Sequence, residues 1–297
     1  MHIGNIWSAL GSWLFAKQAG GEWILRIEDI DRQRSKAEYA VGIQEDLRWL
    51  GFSWDGLYIQ SERIERYEAA LELLKEKDLL YPCYCSRARL HQVASAPHIG
   101  EAVSIYDRHC FYHREEAALH NTKCPSLRVH VPNKSIAFTD RIWGKIEGNL
   151  ESICGDFIVK RSDGMYAYQL AVSVDDGENG VTQVVRGADL LSSTEQQIWL
   201  LEKFGYPAPE YIHLPLWVDE TGNRLSKRQS GITVRELKSR GLKAEEILGM
   251  IAWSSRLIDK YNPLSLAELT KEADIKKITK EPLVWDNKIL TTLDKRI

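Results

Sequence analysis

Trp23-Ile24-Leu25-Arg26-Ile27 runs directly into Glu28-Asp29-Ile30-Asp31, and the reading of this stretch decides the fold. Its first five residues suit a short buried strand, and the acids stand at the carboxyl end, where open α/β sheets gather their ligands. Downstream, residues 36–50 and 62–78 carry helical periodicity, with Ser35 and Ser61 in capping positions and Tyr67, Leu71 and Leu74 on one apolar face. Strand, helix and helix predict the opening of a doubly wound α/β fold. Upstream, Met1-His2-Ile3-Gly4-Asn5 opens a helix whose Ile6, Leu10 and Leu14 recur at helical spacing. Gly4 lets backbone approach a ligand closely, and the unpaired N–H groups and positive dipole end of the helix suit phosphate.

The totals set outer limits. With 297 residues, 44% hydrophobic and 27% charged, the chain is neither disordered nor fibrous, and it is long enough for one large domain with an insertion or for two domains. No apolar run approaches the length of a membrane span, and the start lacks a secretory pattern, so a soluble cytoplasmic protein is expected. The net charge of -3 conceals an asymmetry: residues 1–222 hold 23 Lys and Arg against 32 Asp and Glu, whereas residues 223–297 hold 16 against 10. A basic end on an acidic body suits a polyanion, although charge alone equally describes a solvated helical surface.

Further along, Tyr81 to about Arg128 breaks the pattern as an insertion would. Strand candidates return at 127–131, 156–160, 166–174, 181–186 and 212–218, the last closing a hairpin through Asp219-Glu220-Thr221-Gly222. Beyond Val234 the chain reads helical. The expected divisions are 1–80 and 151–222 for two halves of a catalytic domain, 81–150 for the insertion and 223–297 for a loop and helical region. Arg224-Leu225-Ser226-Lys227-Arg228 lies between Gly222 and Gly231, a loop that can bring a mobile lysine to a triphosphate. Three of five cysteines fall within 83–110. Cys83-x-Cys85 places two thiols on one turn, and spacing completes a tetrahedral site with Cys110 and either His113 or Cys124.

Taken in order, Leu25 to Arg32, Gln60 to Arg63, Cys83 to Ser86, Gly155 to Arg161, Tyr168 to Val172 with Asp175-Asp176, Val185 to Leu191 and His213 to Leu216 resemble bacterial glutamyl-tRNA synthetase catalytic domains. The resemblance spans roughly residues 1–255. It is strongest to the short paralogues of that family, because the chain ends near where the catalytic domain ends. The resemblance implies a class I synthetase Rossmann-like fold with a zinc-containing insertion, ATP-dependent activation of L-glutamate with magnesium, and transfer to queuosine in the anticodon stem-loop of tRNA(Asp). It implies His2, Gly4 and Asn5, with Arg224, Ser226 and Lys227, at ATP; of these His2, Asn5 and Lys227 would be catalytic. It places Glu28, Tyr168 and Arg186 at glutamate. It selects Cys83, Cys85, Tyr106 and Cys110 for zinc, with His113 in reserve, and leaves Cys124 and Cys154 as buried thiols. A monomer is expected. Alternatives are a truncated enzyme charging tRNA(Glu) and a non-catalytic RNA-binding remnant. In the resembled family a strand and a Pro/Ser-containing turn precede the His-x-Gly motif, so a translation start upstream of Met1 is expected. Arg224 replaces a lysine at the head of the second motif, keeping charge while changing geometry.

Overall fold

A computed structural model describes residues 1–31, 33, 35–86, 89, 105–119, 123–222 and 233–285. Helix α1 (Ile3–Gln18) buries Ile3, Ile6, Trp7, Leu10 and Leu14 along one stripe, as the spacing predicts. It packs across β8 (Gln183–Gly187) and against two late helices, α10 (Ala244–Ser254) and α11 (Leu266–Glu272). Gly11 lets α1 lie close to Leu214: a Cβ there would stand 2.5 Å from its Cδ1 and force that side chain to shift.

Strand β1 (Ile24–Ile27) lies parallel to β2 (Gly56–Ile59), with α2 (Ala37–Trp49) between them in sequence. Four strands form a second sheet in the order β6, β5, β9, β8: β5 (Ser135–Asp140), β6 (Gly144–Asn149) and β9 (Glu210–Leu214) join β8. Here β9 runs parallel to both β8 and β5, and the β5–β6 hairpin is antiparallel. Among the described residues no strand joins β1 to β8, so the parallel pairs β1–β2 and β8–β9 stand in separate sheets, not in the single doubly wound sheet expected. A third, antiparallel sheet orders β3 (Leu80–Cys83), β4 (Ser126–Val129) and β7 (Ile158–Lys160). Two large apolar cores result. One gathers α1, β9 and the C-terminal helices; the other gathers α3 (Ile64–Glu76), β4, β7, α7 (Tyr168–Glu178) and α8 (Thr194–Phe204).

Several expectations are corrected. Residues 166–174 alternate like a strand, yet 168–178 form helix α7, whose residues Leu170 to Asp176 are all buried. A helix enclosed on every side has no polar stripe, so its period is invisible in sequence. Ser35 and Ser61 do not cap: Lys36 and Arg63 occupy those positions, and the Ser61 hydroxyl and N–H instead donate to Asp29, at 2.7 and 2.8 Å. The turn at 219–222 forms, with the Gly222 N–H donating to the Asp219 carbonyl at 2.9 Å, but the expected return strand falls outside the described residues. Instead β10 (Trp217–Val218) pairs in parallel with β11 (Leu283–Val284). The insertion expected over 81–150 does not close on itself either, since β4 pairs with β7 and the β5–β6 hairpin is joined to β9.

Candidate active site

A cleft of about 1190 Å³ opens between the start of α1, the carboxyl end of β1 and the inner face of α2; His2, Asn5, Arg26, Glu28, Gly42 and Thr233 all line it. The His2 ring folds over Gly4, where an added Cβ would meet ring atoms at 3.1 and 3.2 Å. Asn5 closes the turn from the other side, its Oδ1 accepting the His2 N–H at 3.3 Å. The Val234 N–H donates to the Met1 carbonyl at 2.9 Å, and His2 bridges to Thr233. The phosphate-type turn is therefore fastened to the residue that immediately follows 223–232. Arg224, Ser226 and Lys227 themselves lie outside the described residues.

Glu28, Tyr168 and Arg186 come from the end of β1, the start of α7 and the middle of β8. Tyr168 lies within electrostatic reach of the other two. Desolvation pushes the Tyr168 phenol up to about 12, Glu28 adds to the rise, and Arg186 opposes it. Glu28 is exposed and accepts from Arg26 at 3.1 Å; Arg26 continues to Asp176 at 2.5 Å. Arg186 is buried. Its Nε donates to Nε2 of His213 at 2.9 Å, Nη1 to Gln197 at 2.6 Å and Nη2 to the Thr194 hydroxyl at 2.9 Å.

On the far side of β3, three sulfurs converge. Those of Cys83, Cys85 and Cys110 all lie within 4.8 Å of one another. The Tyr106 hydroxyl stands 3.6 Å from Sγ of Cys83 and 3.3 Å from Sγ of Cys85, so it joins the cluster. His113 does not: its Nδ1 is 2.9 Å from the His109 carbonyl oxygen. Cys124 is exposed and outside the cluster, contrary to its expected burial, whereas Cys154 is buried and its thiol is pushed up to about 11 by that burial. Burial, the hydrogen bond to Cys110 and the neighbouring thiols push Cys85 up to about 12. Burial also opposes ionisation of Cys83, but Arg128 and Tyr106 outweigh it and bring that thiol below its ordinary value. Three thiols crowded at this distance cannot all ionise without a cation, and a borderline-soft divalent ion fits the donor set.

The profile of class I tRNA synthetases (E and Q), catalytic domain, matches residues 1–292. The chain belongs to this family. Glutamyl-Q tRNA(Asp) synthetase of Nitratidesulfovibrio vulgaris is 41% identical over 99% of this chain and 95% of its own length. The protein of the same name from Symbiobacterium thermophilum is 44% identical over 95% of this chain and 91% of its own. Among solved structures, glutamate-tRNA synthetase from Elizabethkingia anophelis superposes with a TM-score of 0.81 at 27% identity, covering 100% of this chain and 68% of that one.

Within this synthetase fold, sequence reasoning gave no role to the groups that hold the site in place, although Gln60 and Asp175 lie in stretches that carry the resemblance. Asp175 is fully buried and accepts from Gln60 at 2.8 Å, from Arg63 at 2.7 Å and from Tyr67 at 3.0 Å. Asp140 was silent, and His213 was read only as part of a matching stretch. A signal existed for Asp175: two acids in succession after the apolar Leu170–Val174 run must find donors if that run is buried.

Proposed function

We propose that this synthetase-family chain activates L-glutamate with ATP and transfers it to queuosine of tRNA(Asp). The observation that supports the reading is that Tyr168 lies within electrostatic reach both of Glu28, which lines the cleft that begins at His2, and of Arg186. Glu28 receives an α-ammonium. Arg186, held from behind, keeps one Nη1 hydrogen for a carboxylate, and Tyr168 adds a hydroxyl. At the other end of the cleft, the N-terminus of α1 with His2, Gly4 and Asn5 takes phosphate oxygens; Lys227, with Arg224 and Ser226, approaches from the adjoining loop. The substrate carboxylate attacks the α-phosphorus, the bond to the bridging oxygen breaks, and pyrophosphate leaves with magnesium. Queuosine then displaces AMP from glutamyl-adenylate.

Relatives named glutamyl-Q tRNA(Asp) synthetase are matched along nearly their whole length, and this supports queuosine-bearing tRNA(Asp) over tRNA(Glu) as acceptor. In this reading the Rossmann-like catalytic halves carry the reaction, the basic residues after 222 meet the anticodon stem-loop through phosphate, and the enzyme acts as a cytoplasmic monomer. Cys83, Cys85, Cys110 and Tyr106 would hold a structural zinc ion. When bound, zinc supplies a cross-link between β3 and the segment around Cys110.

Glutamate-dependent ATP/pyrophosphate exchange without tRNA is expected of the full chain, and its absence would remove the activation step. The acceptor is tested separately by labelled glutamate. Transfer to queuosine-containing tRNA(Asp) is expected, and preference for tRNA(Glu) would overturn that part alone.

A further inference from the structure

Three neighbouring strands place Asp140, His213 and Arg186 side by side: Asp140 ends β5, His213 lies on β9, and Arg186 stands directly opposite it on β8. All three are buried. Oδ2 of Asp140 accepts from Nδ1 of His213 at 2.7 Å and from the His213 backbone N–H at 3.0 Å. Its Oδ1 accepts the N–H groups of Ile142 and Trp143, each at 2.9 Å. A carboxylate so surrounded by donors acts only as acceptor, so the imidazole hydrogen sits on Nδ1. Nε2 is left with its lone pair facing Arg186, whose Nε donates to it at 2.9 Å.

We propose that Asp140 and His213 form a positioning pair that aims the Arg186 guanidinium at the substrate carboxylate, an inference that rests on the reading of Arg186 as a glutamate contact. A guanidinium on a long stem otherwise samples many orientations. Here Nε is held by His213, one Nη1 hydrogen by Gln197, and Nη2 by the Thr194 hydroxyl with the Leu190 carbonyl at 3.4 Å. What remains is the other Nη1 hydrogen, with its direction fixed before substrate arrives. Preorganisation of this kind removes an ordering cost from binding. With the hydrogen on Nε2 instead, two donors would face each other and the guanidinium would have to turn away. His213 is a positioning residue because it acts through Arg186.

The test is glutamate-dependent ATP/pyrophosphate exchange by the full chain carrying His213→Leu, His213→Gln or Arg186→Lys, with urea unfolding in parallel. His213→Leu is expected to raise KM for glutamate about tenfold or more while KM for ATP stays within about twofold. His213→Gln, whose side-chain oxygen can accept from Arg186, should recover most of the loss. Should His213→Leu fail to fold, Asp140→Asn is the second probe: its amide can donate to Nδ1 and drive the hydrogen to Nε2, giving the same selective rise. An unchanged glutamate KM in the folded variants overturns the pair, as do parallel shifts in both KM values and in the unfolding midpoint with Gln no better than Leu. Arg186→Lys separates the two levels. If it raises glutamate KM and His213→Leu does not, only the positioning pair falls; if it leaves glutamate KM unchanged, the reading of Arg186 falls and takes this inference with it.

Discussion

Around Asp175 the buried charges are matched by the chain itself, whereas around Cys85 three sulfurs crowd one another and a phenol, with Arg89 and Arg128 as the cations beside them. In the catalytic body Asp175 collects Gln60, Arg63 and Tyr67, and Asp176 takes Arg26. This closes a network across β1, α3 and α7. In the cysteine region, Cys85 lies 3.5 Å from Sγ of Cys110 and 3.3 Å from the Tyr106 hydroxyl. Groups that can act as ligands therefore outnumber the charges available to balance them. The difference teaches that one region is balanced by the polypeptide itself, whereas the other presents a donor set that a divalent cation would complete. Buried Asp156 ties the segments that carry the cysteines to the body, accepting from Tyr81 at 2.8 Å, from Arg108 at 3.2 Å and from the Val131 N–H at 3.0 Å.

The largest effect should follow from removing that ion. The purified protein is expected to carry about one zinc per chain by mass spectrometry, and chelation or Cys110→Ser should release it. Structural zinc contributes on the order of 10 kcal/mol in small domains at neutral pH. Limited proteolysis should then cut between Cys85 and Cys110 while the body stays resistant. Tyr106→Phe should weaken the affinity and His113→Ala should not. Metal-free protein with unaltered protease resistance would show the cluster to be closed without an ion.

Asp175→Asn attacks the other region. Breaking a buried ion pair from one side leaves its cations uncompensated and costs about 3–5 kcal/mol. Urea unfolding should register that loss with zinc content unchanged. Loss of zinc in this variant would mean that the regions are not independent. Gly11→Ala should cost less, about 1–3 kcal/mol, by overpacking the contact with Leu214 between α1 and β9. The double variant Gly11→Ala with Leu214→Val should recover part of it, and a neutral single variant would show that α1 can shift on the sheet.

Where hydrophobic period and local chemistry agreed, the sequence was legible: α1, β1, α2 and α3 lie within a few residues of their expected places. The assignment of Glu28, Tyr168 and Arg186 came from the resemblance and not from pattern, because residues on separate elements share no periodic trace. Helix α7 was misread for a related reason: its surroundings bury it on every side. The supporting groups were least visible. Asp140, Gln60 and Thr194 are ordinary polar residues in sequence, and only the fold shows that each is buried with a specific donor or acceptor.

Glu195 is one of several residues in the body with a buried polar atom that has no hydrogen-bond partner among the described residues, and the smallest expected effect belongs to it. It is buried beside Thr194, and among the described residues its Oε2 has no hydrogen-bond partner. Burial raises its carboxyl above the ordinary carboxylate value. A group whose folded value is raised contributes fully below the unfolded value, and that contribution is lost as pH rises through the folded one. At neutral pH the folded state therefore holds a carboxylate in a place that disfavours charge. Glu195→Gln removes the charge at nearly constant volume and should stabilise the protein by about 1 kcal/mol at pH 7.5. Near pH 4.5 the wild-type group is more protonated in the folded state than at pH 7.5, so the gain should shrink. Urea unfolding at the two pH values reads the difference directly. An equal gain at both would assign the effect to packing, and no gain at either would show that Glu195 is matched after all, as Asp175 is.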